Sequence, residues 1–98
     1  MFRLSFSEEA AGVLSDLRSD PSHARKLKKI QKALGFLETN PRHPGLSTHE
    51  YQTLHGPNRE KVFEAYIENR TPNAWRIWFW YGPDKDTITI LTIGPHPD

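Results

Sequence analysis

Apolar and polar positions along this chain change their period near residue 40. Residues 2–6 alternate between apolar and polar side chains, and this period of two predicts a short first strand. Between residues 8 and 39 the apolar positions recur every three to four residues, which predicts two helices. The apolar stripe of the first helix contains Ala10, Val13, Leu14 and Leu17, and that of the second contains Leu27, Ile30, Ala33, Leu34 and Leu37.

Local signals indicate where both helices begin and end. Ser7 is a suitable N-cap, because its hydroxyl oxygen can accept a hydrogen bond from a free N–H group of the first turn. The first helix is expected to stop near Ser19. Asp20 followed by Pro21 predicts the start of the second helix, with the aspartate as cap and the proline in the first turn. Asn40 precedes a proline and predicts its end.

After residue 40 the pattern returns to period two and predicts three or four strands in an antiparallel meander. Gly-Pro dipeptides indicate turns between them. The last run carries Ile88 and Ile90 on one face, with Leu91 and Ile93 on the other. Apolar residues on both faces are typical of a strand in the interior of a sheet.

These elements predict the α+β fold class. A short N-terminal strand is followed by an αα-hairpin, which packs on one face of a twisted antiparallel sheet of about four strands. The 98 residues are enough for one modest core, so we expect a single domain spanning residues 1–98. Two helices can cover only one face of such a sheet. The other face would be partly open and would carry Glu64, Tyr66, Glu68, Arg76, Trp78 and Trp80.

The strand predicted at residues 74–81 gives that open face its chemistry. Its alternation places Arg76, Trp78 and Trp80 on one side, opposite an ordinary core face. An arginine beside aromatic planes suits a phosphate with stacked bases, or the anchor residues of a partner protein. The alternative is that the tryptophans cover a second small cluster, while Arg76 pairs with Glu64 or Glu68. The core face is expected to carry Trp75, Ile77, Phe79 and Tyr81.

Composition excludes several classes of protein. There is no cysteine, which excludes a disulfide scaffold, a thiolate nucleophile and a cysteine-ligated zinc site. The N-terminus lacks the apolar run of a signal peptide, and no segment reads as a membrane span, so we expect a cytoplasmic protein. His43, His49 and His55 are spaced by six residues, which fits no close ligand pair. We therefore expect neither a metal nor another cofactor.

Charge is informative through its distribution. The net charge of +1 does not by itself indicate nucleic-acid binding. Five basic residues nevertheless fall within eight positions of the second helix. Such a run is usually a solvated helix face. It also suits a surface that faces phosphates, or a docking face for an acidic partner. The five are Arg25, Lys26, Lys28, Lys29 and Lys32.

This layout resembles the RelE/ParE superfamily of bacterial type II toxins, and the matching features span nearly the whole chain. Leu54-His55-Gly56 looks like the superfamily's Leu-x-Gly entry into the sheet. Trp75-Arg76-Ile77 is similar to its aromatic-Arg-aliphatic strand, and Ile93-Gly94-Pro95-His96 to its Gly-His terminal segment. The order and spacing of the three segments carry the resemblance.

The resemblance implies a metal-independent endoribonuclease that cuts messenger RNA in the ribosomal A site. In such cleavage the 2′-OH attacks the adjacent phosphate, with side chains as base, acid and cationic stabiliser. Arg76 would be the phosphate clamp and His96 the general acid or base. Tyr66 or Glu50 would fill the remaining role, and Glu64 is an alternative base. The residues expected to bind RNA are Lys28, Lys29, Lys32, Arg70, Trp78 and Trp80.

Two departures from the superfamily pattern support a second hypothesis. Glu64 and Tyr66 stand where active members usually carry arginine, and no tyrosine follows His96. The alternative is a non-catalytic homologue that binds a protein through its open sheet face, as the ParE branch acts on DNA gyrase, or that binds only an antitoxin. The resemblance implies a cognate antitoxin as partner, with the ribosome and mRNA if the chain is active, and no membrane. A homodimer could bury the same tryptophans.

Overall fold

The computed structural model describes residues 1–97 and confirms the predicted α+β class. A five-stranded sheet is packed against two helices that belong to the first half of the chain. Single 3₁₀ turns, Pro21–His23 and Pro44–Leu46, precede the second helix and the second strand. The elements are β1 (Arg3–Phe6), α1 (Glu8–Arg18), α2 (Ala24–Thr39), β2 (His49–His55), β3 (Lys61–Tyr66), β4 (Trp75–Tyr81) and β5 (Thr87–Pro95).

The sheet has the strand order β1-β5-β4-β3-β2, so β4 lies in the middle and β5 between two neighbours. Strands β2 to β5 form the expected antiparallel meander. The first strand adds a fifth member at the edge, where it runs parallel to β5. A parallel pair needs a long connection, and the chain between β1 and β5 contains both helices and three strands. The sheet is therefore mixed.

Both helices begin and end close to the predicted residues. The hydroxyl of Ser7 accepts a hydrogen bond from the Ala10 N–H at 3.0 Å, and α1 ends before Ser19. Asp20 caps the 3₁₀ turn that leads into α2, and α2 ends before Asn40. Neither helix of the described chain is long and apolar enough to cross a membrane.

The main core lies between the helical hairpin and one face of the sheet. The helices contribute the predicted stripes, of which Val13, Leu27 and Leu34 are only partly buried. The sheet contributes alternate residues of β3 and β4, together with three isoleucines of β5. The largest side chains in this core that are almost fully buried are Phe79, Ile30, Leu37, Leu46, Ile77, Ile88 and Ile90.

A β-bulge at Leu91 changes the predicted alternation of β5. Trp78 pairs with Thr92 and Phe79 pairs with Ile90, which leaves Leu91 as an extra residue. The extra residue resets the alternation, so Ile93 joins the main core while Leu91 packs on the opposite face. The prediction that Leu91 and Ile93 share a face is therefore wrong.

The two tryptophans of β4 that point away from the helices are buried, which corrects the predicted exposed patch. Trp78 is 4% exposed and Trp80 is 6% exposed. They form a second small cluster with Val62, against which Tyr51, Leu54 and Leu91 pack. The alternative given above for the tryptophans is thus the correct one. Two of these covering side chains, Tyr51 and Leu54, come from β2, whose apolar residues face the same side of the sheet.

The end of β4 differs from expectation in one further respect. The alternation of β4 predicts Tyr81 on the buried core face, but this residue is 39% exposed. Gly82 follows it with a φ of 150°, a conformation that favours glycine. A Cβ atom at this position would collide with the ring of Trp80, so the turn passes directly over the second cluster.

Candidate functional site

The candidate site lies on the sheet face away from the helices, where β2, β3 and β4 meet the end of β5. Strand register brings its residues together. Glu64 pairs with His49 of β2, and Tyr66 pairs with Arg76 of β4. The chain leaves β5 beside them, and the N–H of His96 donates a hydrogen bond to the carbonyl of Ala74 at 2.9 Å.

Glu64 lies between two histidines. One carboxylate oxygen, Oε1, is 2.9 Å from His49 Nε2, and the other, Oε2, is 3.4 Å from His96 Nε2. The Glu64 side chain is only 3% exposed, whereas both imidazoles reach solvent. The contact at Oε2 lacks hydrogen-bond geometry and is therefore electrostatic. A buried carboxylate thus holds two accessible rings.

The contacts of His49 determine where one proton of this group lies. Its Nδ1 is 2.8 Å from the carbonyl oxygen of Ser47, which can only accept, so Nδ1 carries a proton. Its Nε2 faces the carboxylate of Glu64. One more proton must therefore lie between His49 Nε2 and Glu64, which makes the pair either an ion pair or a neutral hydrogen-bonded pair. In both cases the negative charge of Glu64 is compensated.

Arg76 is held by backbone carbonyls and by an aromatic ring. Its Nη1 donates hydrogen bonds to the carbonyl of Glu68 at 2.5 Å and to that of Trp75 at 3.2 Å. Its guanidinium carbon lies 3.7 Å from the centre of the Tyr66 ring. Within the described chain its Nε makes no hydrogen bond although it is buried. The predicted pairing of Arg76 with Glu68 thus uses the backbone, and the carboxylate of Glu68 is free for other donors.

That carboxylate joins α2 to the site. It accepts hydrogen bonds from Lys26 Nζ at 2.7 Å, from Lys29 Nζ at 3.2 Å and from the Trp75 N–H at 3.1 Å. Burial alone would raise the pKa of Glu68, but the hydrogen bonds from the two lysines and from Trp75 outweigh it and hold that pKa below its ordinary value. Glu68 therefore fixes Arg76 through its backbone carbonyl and fixes α2 through its side-chain carboxylate.

Tyr66, Arg76 and His96 line one open pocket of about 300 Å³, together with residues 71–74. The structure thus brings together the four residues predicted as catalytic, since Glu64 lies directly behind His96. It does not bring Glu50 to this place. Glu50 pairs with Phe63, lies on the other side of β2 and faces Lys61 at 3.9 Å.

The residues predicted to bind RNA lie in different environments. Lys28, Lys29 and Lys32 are exposed on α2, and Arg70 is exposed in the connection between β3 and β4. Trp78 and Trp80 are buried, so their rings are not available for stacking with bases. Because both indoles are buried, the prediction that they form part of an RNA-binding surface lacks structural support.

His49 is the member of the site that sequence reasoning missed. The sequence pattern shows it only as one of three evenly spaced histidines. The signal that could have found it is the alternation of β2, which puts His49 and Tyr51 on the same face. The residue opposite it in β3 depends on strand register, which the sequence pattern does not give. Within residues 1–97 no group of three or more histidine, aspartate or glutamate side chains is arranged to hold a metal ion.

Comparison with known proteins identifies the fold. No family model and no curated protein sequence matches the chain. Solved structures do match it over almost its whole length. A YoeB/ParE toxin from Agrobacterium tumefaciens has a TM-score of 0.72 at 11% identity, covering 98% of this chain and 100% of the other. The isolated RelE toxin of Escherichia coli has a TM-score of 0.61 at 16% identity, covering 100% and 87%.

A third structure contains a partner protein. It is the heterotetrameric YoeB-YefM toxin-antitoxin complex from Staphylococcus aureus, with a TM-score of 0.64, 16% identity and 99% coverage of both chains. At these identities the likeness establishes the fold. The chain has the RelE/ParE toxin fold that its sequence motifs indicated.

Proposed function

We propose that this chain is the toxin of a type II toxin–antitoxin pair and acts in the cytoplasm as a ribosome-dependent mRNA endoribonuclease. The observation that carries the proposal is the arrangement of His96 on a buried carboxylate beside an arginine stacked on a tyrosine. A proton-transfer group and a fixed cation then line the same pocket. The RelE/ParE fold is the second support.

Cleavage by the 2′-OH needs three contributions from the protein. His96 takes the proton of the 2′-OH, and the oxygen attacks phosphorus to form a cyclic phosphate. The bond from phosphorus to the 5′ oxygen breaks, and the hydroxyl of Tyr66 supplies the proton that this leaving oxygen needs. Arg76 stabilises the negative charge on the phosphoryl oxygens. Each of the three residues lines the pocket described above.

Glu64 does not prevent phosphate binding in this arrangement, although a carboxylate beside a phosphate would normally repel it. Its side chain is buried behind the two imidazoles, and a proton shared with His49 compensates its charge. The surface that a substrate meets is made of Arg76, His96 and Tyr66. We assign Glu64 the role of orienting His96, through the 3.4 Å contact between its Oε2 and His96 Nε2.

The competing hypothesis of a non-catalytic protein binder loses one of its two supports, because Trp78 and Trp80 of its binding face are buried. Its other support, the departures from the superfamily pattern at Glu64, at Tyr66 and after His96, is unchanged. A cognate antitoxin remains part of the proposal, because the staphylococcal toxin of the same fold was crystallised with its antitoxin.

Induced expression in a bacterial host tests the proposal. We expect growth arrest by the wild type and relief of arrest by both Arg76→Ala and His96→Ala, with mRNA ends mapped by primer extension in the arrested cells. Glu50→Ala is the matched control, because this carboxylate lies on the other side of β2. Circular dichroism of the purified variants must show folded protein.

Two results would contradict the proposal. Arrest that persists in the His96→Ala variant would indicate that the chain blocks a target without cleaving RNA. Absence of arrest by a folded wild type, with no cuts in mRNA, would mean that the chain is not an active toxin.

A further inference from the structure

A second groove adjoins the candidate site on the other side of Tyr66. It has a volume of about 240 Å³ and lies between α2 and the turn Pro44–Leu46. Tyr66 lines both this groove and the pocket that contains Arg76 and His96, so the two adjoin each other at this residue. Its polar and aromatic lining consists of Lys29, Lys32, Phe36, His43 and Tyr66.

His43 presents a hydrogen-bond donor at this groove. Its ring is stacked on that of Phe36, with the centroids 3.9 Å apart and an angle of 8° between the planes. Its Nδ1 accepts a hydrogen bond from the Gly45 N–H at 3.0 Å. A neutral imidazole that accepts at Nδ1 carries its proton at Nε2, so the second nitrogen is a donor. The stacking on Phe36 and the hydrogen bond from the Gly45 N–H together fix the orientation of the His43 ring.

The charge at the groove is positive, and much of it comes from Lys32. Within residues 1–97 no carboxylate lies within ion-pair distance of Lys32, whereas Lys29 contacts Glu68 at 3.2 Å. The Lys32 ammonium lies 5.9 Å from the centre of the Phe36 ring, beside the stacked histidine. No acidic residue is among those that line the groove. An ammonium, an N–H donor and aromatic rings are the groups that bind a nucleotide phosphate and its base.

We propose that this groove binds the nucleotide next to the scissile phosphate of a single-stranded RNA, with Lys32 and His43 Nε2 contacting its phosphate. This inference deepens the proposed function and rests on it for the position of the scissile bond. The proposal also gives different roles to Lys28 and Lys32, which the sequence pattern places in one basic run. Lys32 lines the groove, while Lys28 is also exposed on the same helix and does not line it.

The test uses a 2′-O-methyl tetranucleotide, which lacks the attacking hydroxyl and therefore reports binding alone. Amide and imidazole NMR signals of the full chain are followed during titration. We expect shifts at His43 and Lys32 as well as at Arg76 and His96. For Lys32→Ala we expect weaker binding and a salt dependence of log Kd that is smaller by about 0.7, the value for one contact to a single-strand phosphate. Lys28→Ala should leave that slope unchanged.

Several outcomes would overturn the inference. Shifts confined to Arg76 and His96, or no binding at all, would remove the groove from the RNA path. Equal effects of Lys28→Ala and Lys32→Ala would show that only the general charge of α2 matters. An oligoglutamate peptide that produces the same shifts at His43 would assign the groove to an acidic protein segment instead.

The growth assay keeps the two proposals distinguishable. A wild type that fails to arrest growth but binds the tetranucleotide at His43 and Lys32 would refute cleavage and retain an RNA-binding groove. Cleavage that depends on Arg76 and His96, without shifts in the groove, would retain the enzyme and refute the subsite. The melting temperature of the Lys32→Ala variant checks that its fold is unchanged.

Discussion

Replacing Glu68 by glutamine tests the link between α2 and the candidate site. The substitution keeps the size of the side chain and removes the charge that accepts hydrogen bonds from Lys26, Lys29 and the Trp75 N–H. The Glu68 side chain is 12% exposed, while that of Lys29 is 47% exposed. The contact with Lys29 is therefore worth at most about 1 kcal/mol. The contacts with Lys26 and Trp75 are the ones that matter.

The expected loss of stability follows from those two contacts. A hydrogen bond to a charged group contributes about 1.5–3 kcal/mol when it is shielded from water. Glutamine retains one acceptor oxygen, so part of this contribution remains. We expect Glu68→Gln to lower the free energy of unfolding by about 2–3 kcal/mol at pH 7. Urea unfolding followed by circular dichroism measures it, with the exposed Glu50→Gln as control, expected to change stability by less than about 0.5 kcal/mol.

The pH dependence of this loss provides a stricter test. The folded-state pKa of Glu68 lies below its ordinary value of 4.5, so its ionised form stabilises the fold. That contribution is fully present above the unfolded-state pKa and disappears as pH falls through the folded-state pKa. The stability difference between wild type and Glu68→Gln should thus be constant above about pH 5 and shrink below about pH 4. A difference that is constant down to pH 3, or below about 0.5 kcal/mol at pH 7, would refute the reasoning.

Three further substitutions separate folding from function. Trp78→Ala should lower the free energy of unfolding by about 3–5 kcal/mol, measured by urea unfolding, because the indole is buried in the second cluster. Ser7→Ala should lower the free energy of unfolding by about 1–3 kcal/mol in the same assay. The Ser7 hydroxyl caps α1 and also donates a hydrogen bond to the Leu91 carbonyl at 2.6 Å. A smaller change for Ser7→Ala than for Ser19→Ala would contradict this. Tyr66→Phe should leave stability unchanged within about 0.5 kcal/mol, because the ring stacked on Arg76 remains, but slow mRNA cleavage about 100-fold in a translation extract. Full cleavage by Tyr66→Phe would exclude its hydroxyl as the proton donor.

Local patterns were sufficient to predict the helical hairpin and three of the five residues of the site. Helix ends depend on neighbours in sequence, so Ser7 and Asp20 indicated them correctly. The alternation of β3 and β4 likewise placed Glu64, Tyr66 and Arg76 on one face, because the period of a strand needs no knowledge of its partners. The RelE/ParE resemblance added His96, whose place beside Glu64 depends on how β5 ends.

Features that depend on long-range pairing could not be predicted in this way. The contact of His49 with Glu64 requires the register of β2 on β3, and the parallel pairing of β1 requires knowledge of the sheet edge. Burial of Trp78 and Trp80 depends on which side chains of the other strands pack against them. An alternation of period two shows which side chains share a face, but it does not show whether another element covers that face.

The bulge in β5 gives this strand an unusual tolerance for changes in length. Deleting a residue from a regular strand reverses every side chain beyond the deletion. Leu91 has no partner in β4, so its removal would leave Thr92 opposite Trp78 and Ile90 opposite Phe79. His96 would then stay on the face of the site, and the change would cost only the packing of Leu91 and its bond with the Ser7 hydroxyl. A variant of this chain without Leu91 would therefore keep the same terminal imidazole in place.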